Sequence, residues 1–323
     1  LAQEPKATPA VHVEVYGATD VGLLREGNED NFLVADIARG EVGMDSDVVD
    51  HHIVSPGGSM FLVCDGMGGA LAGEVASKMA TEVILEVMRR DPLPSTHAQL
   101  IKRMDRAIKE ASTAIHDAAR QNLKQRGMGT TVTAACLIDD RLFLGQVGDS
   151  RGYILRSDEI FLVTKDQSLL NQLLEAGQIT PEEAKDFEYQ NVILQAAGTQ
   201  DDVTPEFTFV DLRRDDVLLV CSDGLHGMVG DDVIAYTILN GGDLESACKE
   251  LIDQANRYGG HDNISVILAR FSGEAVQEAR GERILFQTVN VDAEDVDLGP
   301  GEAAREGDGG WEDEDFPEVT FDE

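Results

Sequence analysis

The chain has 323 residues, 42% of them apolar, and a formal charge of −35. That is enough apolar material for one large domain or two modest ones, and the charge repels nucleic acid and acidic membrane surfaces while favouring cations and basic partners. No run reaches the roughly 20 apolar residues of a membrane span, and Cys64, Cys136, Cys221 and Cys248 lack CxxC spacing and read as small core residues rather than a disulfide framework.

Residues 1–10 read as a loose arm without the charged and apolar parts of a leader. The chain opens on Leu1, and cytoplasm is the default location. VHVEVYGATD (11–20) alternates as a strand does, and DNFLVADI (30–37) reads as a second. Residues 39–59 are polar and broken by Gly and Pro, which predicts a loop with a short strand at 48–53. The Asp50-His51-His52 run inside it has no correctly spaced zinc partner and reads as solvated. A buried strand follows at 60–64. From Gly73 to Arg90, Val75, Met79, Val83 and Val87 recur every four residues and predict an amphipathic helix. A second helix, 96–123, places Ile101, Met104, Ile108, Ala111 and Ile115 on one core-facing stripe.

The period changes over 129–164, where short apolar runs joined by polar turns predict a meander of strands. Residues 167–188 return to helix, with Thr180-Pro181-Glu182-Glu183 as an N-cap signature. EFTFVDL and DVLLVCS are strands, Asp231–Leu239 and Asp243–Tyr258 are helices, and NISVILAR (263–270) is a last strand. This hairpin-rich order disfavours a doubly wound parallel sheet and predicts an α+β fold, two antiparallel sheets with helices outside. The domain is expected to span 11–271. Beyond it, ERILFQTVNV can add a strand, but residues 272–323 are acidic and Gly-rich and are expected to be a largely disordered tail.

Several carboxylates share one context. Glu29 and Asp30 stand directly before a strand, Asp65 and Asp223 directly after one, Asp262 before the last, and Asp149 between two, each with glycine close by. Asp is a common turn former, so any one of them is unremarkable alone. If a sandwich brings these ends together, like charges face one another and call for a cation. Hard oxygen ligands suit Mg²⁺ or Mn²⁺. Gly66, Gly68 and Gly69 leave room beside such ions, and the Gly66 carbonyl can itself be a ligand. Arg25, five residues before Asp30, could offset this charge or bind an incoming phosphoryl group through paired hydrogen bonds.

The ordered set REGNEDNF, VCDGMGG, GMGTTVTAACL, GQVGDSRGYILR, DQSLLNQLLEAGQITPEEA, LLVCSDGL and GGHDNISVIL resembles the metal-dependent protein phosphatases of the PP2C (PPM) family, bacterial type. The resemblance covers residues 11–270 and implies a four-layer α-β-β-α sandwich, two central antiparallel sheets flanked by helix pairs. It implies hydrolysis of phosphoserine and phosphothreonine in proteins by a metal-bridged water, without a phosphoenzyme. The implied partners are phosphorylated proteins, substrates of a bacterial Ser/Thr kinase, and a monomer is expected. Carried onto this chain, it makes Asp30, Asp65, the Gly66 carbonyl, Asp223 and Asp262 ligands of two tightly bound Mn²⁺ or Mg²⁺ ions. Asp149 and Asp223 would hold a third, weaker one. Glu29 would hold water, Arg25 would clamp the phosphate, and Thr130 and Asn263 would support the site. Residues 165–195 would form a flap beside the cleft.

Three positions depart from common patterns in the family. Met67 stands where eukaryotic members often carry a proton-donating His, Gly227 where many relatives have an Asp, and KDQSLL replaces a flap segment that commonly carries His near Gln167. Two other readings stay in view: the same fold used as a signalling or binding module with weak activity, and a Ser150 hydrolase from the G-x-S-x-G match at GDSRG. The second requires a strand-to-helix turn, whereas strand-like sequence follows.

Overall fold

The structure, a computed structural model, describes residues 10–44, 48–55, 57–68, 72–184, 187–189, 192–281 and 283–291. The chain begins with β1 (His12–Asp20), β2 (Asp30–Asp36), β3 (Gly40–Met44), β4 (Val48–Ile53) and β5 (Ser59–Met67). Two long helices follow, α1 (Ala72–Met88) and α2 (His97–Gln121). Next come β6 (Gly129–Thr130), β7 (Val132–Ile138), β8 (Arg141–Val147), β9 (Arg151–Arg156) and β10 (Glu159–Leu162). The short helices α3 (Leu169–Glu175) and α4 (Pro181–Ala184) lead to β11 (Glu206–Asp211) and β12 (Val217–Cys221). The last elements are α5 (Asp223–His226), α6 (Asp231–Asn240), α7 (Leu244–Arg257), β13 (Ile264–Ser272) and β14 (Phe286–Val289).

The strands form two antiparallel sheets, ordered β10-β9-β12-β13-β1-β4 and β14-β11-β8-β7-β5-β2-β3, with β6 paired to β5. Three apolar cores separate four layers. Phe32, Phe61, Val63, Val220 and Ile267 fill the space between the sheets. Leu33, Leu62 and Cys64 point the other way, against α1 and α2. Leu219, Cys221 and Leu268 meet α6 and α7. A strand covered on both faces must be apolar at every position, which is why 60–64 and 217–221 read as unbroken runs. All four cysteines are buried and free, and no helix among the described residues is long and apolar enough to cross a membrane.

Several expectations need correction. On α1 the innermost residues are Ala76, Ala80, Ile84 and Val87, while Val75, Met79 and Val83 pack at the edge of that core. A strict four-residue spacing advances about 40° per step around a 3.6-residue helix, so it cannot stay on one face. The 39–59 segment contains two strands, β3 as well as β4, despite its polar composition. His52 is opposite Val13 of β1 and its side chain is 5% exposed, with Nδ1 2.6 Å from Asp50 Oδ2 and Nε2 2.7 Å from Ser59 Oγ. The Asp-His-Ser order resembles a catalytic triad, but Ser59 is fully buried at the start of β5, so the chain of bonds ties two strands together. Residues 167–188 form two helices rather than one, broken where Gly177 adopts φ +62°. The expected cap at α4 is present: Glu183 N donates to Thr180 Oγ1 at 3.3 Å, and Thr180 N to Glu183 Oε2 at 2.9 Å.

The 272–323 segment does not begin as a tail. β14 pairs with β11, Phe207 opposite Val289, and Val276 and Ile284 are buried in the inter-sheet core. The apolar residues of this stretch are too few to show a period but enough to cover a sheet edge. Gly69, the arm at 1–9 and the acidic stretch 292–323 lie outside the described residues.

Candidate active site

Strand pairing builds the floor of the site. β2 and β5 are antiparallel neighbours in a register that sets Asp30 opposite Asp65. β12 ends one residue before the first turn of α5, which begins with Asp223, and β13 starts just after Asp262 and Asn263. Arg25, Glu29, Asp65, Gly66, Asp223 and Asp262 line one cleft of about 830 Å³, with Met67 and Asn263. Asp30 and Asp149 are more deeply buried, 6% and 7% exposed, and do not line it.

Buried polar groups hold these carboxylates in place. Asn263 connects three segments: its Oδ1 accepts from Glu29 N at 2.8 Å, and its Nδ2 donates to Val21 O at 2.9 Å and Gly27 O at 3.0 Å. Thr130 Oγ1 donates to Asp65 O at 2.9 Å, and Asp65 N donates to Thr131 Oγ1 at 2.9 Å. Gly66 N donates to Glu29 O at 3.1 Å. A Cβ at Gly66 would lie 2.2 Å from Gly73 O, and one at Gly73 would lie 2.6 Å from Glu29 Oε2. Both glycines are therefore required by close approach, not by turn conformation.

Sequence reasoning missed Ser222, whose Oγ donates to Asp30 Oδ2 at 2.7 Å and accepts from Ser265 N at 2.9 Å. Its place directly before Asp223 was the available signal. It also missed His226, half-buried on α5 with Nε2 3.0 Å from Asp149 O; desolvation and the nearby Arg151 charge hold this imidazole well below its usual range and therefore neutral. Ser150 is fully buried with its Oγ 2.8 Å from Thr131 Oγ1, inaccessible to any substrate and followed by β9, so the Ser150 hydrolase reading falls.

The electrostatics are those of too many carboxylates in too little water. Burial, then the charges of Asp223 and Asp262, raise the Asp30 pKa to about 7 against the pull of its serine hydrogen bonds. Burial and Asp223 raise that of Asp149 to about 7. Burial and Asp262 raise that of Asp223 to about 6, and Asp65 is pushed well above the usual carboxylate range by burial and by Asp30. Arg25 opposes this charge: its Nη2 donates to Asp262 Oδ2 at 2.5 Å, and its side chain is half exposed.

The donor set fits divalent cations. Asp149 Oδ1 and Asp223 Oδ1 are buried without a hydrogen-bond partner, an arrangement that costs free energy unless something else binds them. Among the described residues no group of three or more Asp, Glu, His or Cys side chains already stands in ligand arrangement. Sites for hard cations that draw oxygens from main-chain carbonyls and water do not need one.

An acidic floor with unpartnered buried oxygens lies below a half-exposed guanidinium at one end of a double-sheet sandwich, a cleft suited to divalent cations and an anionic substrate. The family model described as protein phosphatase 2C matches residues 37–269. The serine/threonine phosphatase Stp of Listeria innocua is 33% identical over 250 residues, 77% of this chain and 92% of the relative. PhpP of Streptococcus pneumoniae is 34% identical over 262 residues, 81% and 99% of the two chains. The Streptococcus agalactiae serine/threonine phosphatase structure superposes with a TM-score of 0.71 at 31% identity, over 80% of this chain and 99% of the other. The catalytic domain of PstP, solved with two manganese ions, gives 0.66 at 31% identity over 81% and 99%. The chain belongs to the protein phosphatase 2C family and is a phosphatase.

Proposed function

We propose that the enzyme removes phosphate from phosphoserine and phosphothreonine in proteins phosphorylated by a bacterial Ser/Thr kinase. Asp30, Asp65, the Gly66 carbonyl, Asp223 and Asp262 would hold two Mn²⁺ or Mg²⁺ ions tightly, and Asp149 with Asp223 a third more weakly. The observation that carries this reading is the pair of unpartnered buried oxygens on Asp149 and Asp223, within a carboxylate set that cannot ionise together unaided. The two manganese ions of the PstP catalytic domain agree with it.

When bound, the ions supply charge neutralisation and an activated water. The chain's own residues do the rest. Arg25 presents the N–H groups not engaged by Asp262 to the phosphoryl oxygens, whose charge redistributes as the ester bond breaks. Glu29, its pKa raised by burial although Arg25 lowers it, lies beside the Gly66 backbone, where it can accept a hydrogen bond from water or take its proton. Met67 carries no proton to give, so the leaving oxygen takes one from solvent. No side chain of the cleft needs to form a covalent phosphoenzyme. With Gly227 capping the C-terminal end of α5, Asp149 and Asp223 are the two carboxylates available to the weaker ion.

The test is turnover of a phosphothreonine peptide by the full chain with added Mn²⁺ and after thorough chelation. Hydrolysis with Mn²⁺ and loss in chelator are expected. Undiminished hydrolysis in chelator would sink the metal assignment, and absence of hydrolysis with Mn²⁺ would leave only a binding role.

A further inference from the structure

The segment between β1 and β2 that carries Arg25 is tightly held yet leaves two large apolar side chains in water. Leu23 and Leu24 are 65% and 68% exposed. Their backbone N–H groups both donate to Gly260 O, at 2.8 and 3.3 Å, and Asn263 Nδ2 holds the segment at Val21 O and Gly27 O. The fit is close: a Cβ at Gly22, where φ is +76°, would lie 2.2 Å from Asp262 O, and one at Gly260 would lie 2.8 Å from Leu23 Cγ. Loose loop packing therefore does not explain the exposure. The chain holds these leucines outward on a fixed support.

Their place in the fold indicates what covers them. Leu24 directly precedes Arg25, and three Cα atoms joined by trans peptides span no more than about 7.6 Å. An extended peptide advances about 3.3 Å per residue, so neighbours within two or three positions of a phosphoresidue held by Arg25 come within reach of Leu24 and Leu23, which stand just outside the cleft lining. The surrounding rim is acidic. Arg25 is the one basic residue among the described residues lining the cleft, and Glu26 and Glu74 line it without belonging to the cation-binding set. A membrane surface or a second copy of this strongly acidic chain would meet like charge there.

We propose that Leu23 and Leu24 form an apolar step for the substrate residue beside the phosphoserine or phosphothreonine, so that the enzyme selects phosphosites flanked by apolar rather than acidic side chains. The inference rests on the protein-phosphatase reading and adds the class of phosphosite. Leucine removes little water-exposed surface when it stands alone, but covering it with another apolar side chain is favourable and non-directional. Acidic flanks gain nothing on the leucines and are repelled by Glu26 and Glu74.

The test compares the parent with L23S/L24S on three substrates in saturating Mn²⁺. These are a phosphothreonine peptide with Leu within two positions on both sides, the same peptide with Asp there, and p-nitrophenyl phosphate, which has no flanks. The parent is expected to favour the Leu peptide by about tenfold in kcat/KM, the scale of discrimination an apolar contact supplies. The double variant should lose most of that preference through KM and keep p-nitrophenyl phosphate turnover within about twofold of the parent. A parent that cleaves all three without a flank preference overturns the inference and leaves the phosphatase reading intact. So does a variant that keeps the preference or loses all three activities equally. A parent dimer that the double variant dissolves, seen by sedimentation, would assign the leucines to self-association and overturn it too. A parent inactive on every substrate overturns both readings.

Discussion

At the scale of single residues, the site depends on groups that cannot all take their ordinary charge at once. Arg25, proposed to clamp the substrate phosphate, is the basic side chain set against them. Its bond to Asp262 joins a half-exposed guanidinium to a carboxylate one-third exposed, and such a pair contributes only about 0–1 kcal/mol to stability. Its value is therefore expected in turnover. Arg25→Ala should raise KM for a phosphopeptide and lower kcat, about 10–100-fold together in kcat/KM, with fold stability nearly unchanged. Arg25→Lys should recover only part of this, because it keeps the charge and loses the paired donors. Steady-state kinetics with metal content checked alongside decides the matter, and both constants within twofold of the parent would remove Arg25 from substrate binding.

At the scale of elements, the ends of β2, β5, β12 and β13 carry the site, and the packing at those ends is close enough to be tested by one methyl group. In Gly66→Ala the new Cβ would lie 2.2 Å from Gly73 O and 2.4 Å from Glu29 O, both main chain. The end of β5 and the start of α1 must then separate. A loss of about 1–3 kcal/mol in denaturant unfolding is expected, with weaker Mn²⁺ binding because the Gly66 carbonyl moves. Unchanged stability and affinity would show that this approach is not tight.

The strand ends were legible in the sequence because a strand buried on both faces announces itself, and a carboxylate closing such a run stands out. The partners behind them were not. Ser222 and His226 are ordinary residues in sequence and gain their roles from long-range pairing, Ser222 through Ser265 and Asp30, His226 through the main chain of Asp149. The stretch that forms β14 was legible as a strand that could be added, but its pairing was not, and β3 was obscured for a related reason. Their composition is polar or mixed, and they are strands because a sheet edge was there to receive them. The inner face of α1 differs from the expected one because Ala76 and Ala80, not Val75, Met79 and Val83, occupy the closest approach.

At the scale of the whole molecule, protonation, cation binding and folding are linked. Asp30 and Asp149 have folded-state pKa values of about 7 and Asp223 of about 6, raised chiefly by burial from an ordinary value near 3.8. The folded, metal-free protein thus binds more protons than the unfolded chain between roughly pH 4 and 7. These groups favour the fold below about pH 4 and withdraw that contribution as pH rises through their folded values. Cations held by these carboxylates would take the place of those protons. The gain in melting temperature from Mn²⁺ should therefore grow from pH 5 to pH 8, reflecting a few kcal/mol in all. Calorimetric scans of stripped and loaded protein across that range check the sign, and a gain that shrinks with pH would contradict it.

The carboxylates gathered at the strand ends are proposed to hold cations for phosphate-ester hydrolysis. Titration of chelator-stripped protein with Mn²⁺ by calorimetry, with phosphopeptide turnover followed on the same samples, tests that role most directly. Two tight equivalents and a weaker third are predicted, with turnover absent from the stripped protein and restored by Mn²⁺. Asp223→Asn should weaken both the tight and the weak binding, whereas Asp149→Asn should weaken the third equivalent first. Full turnover by the stripped protein, or Mn²⁺ binding that neither substitution alters, would contradict a cation-holding role for these carboxylates.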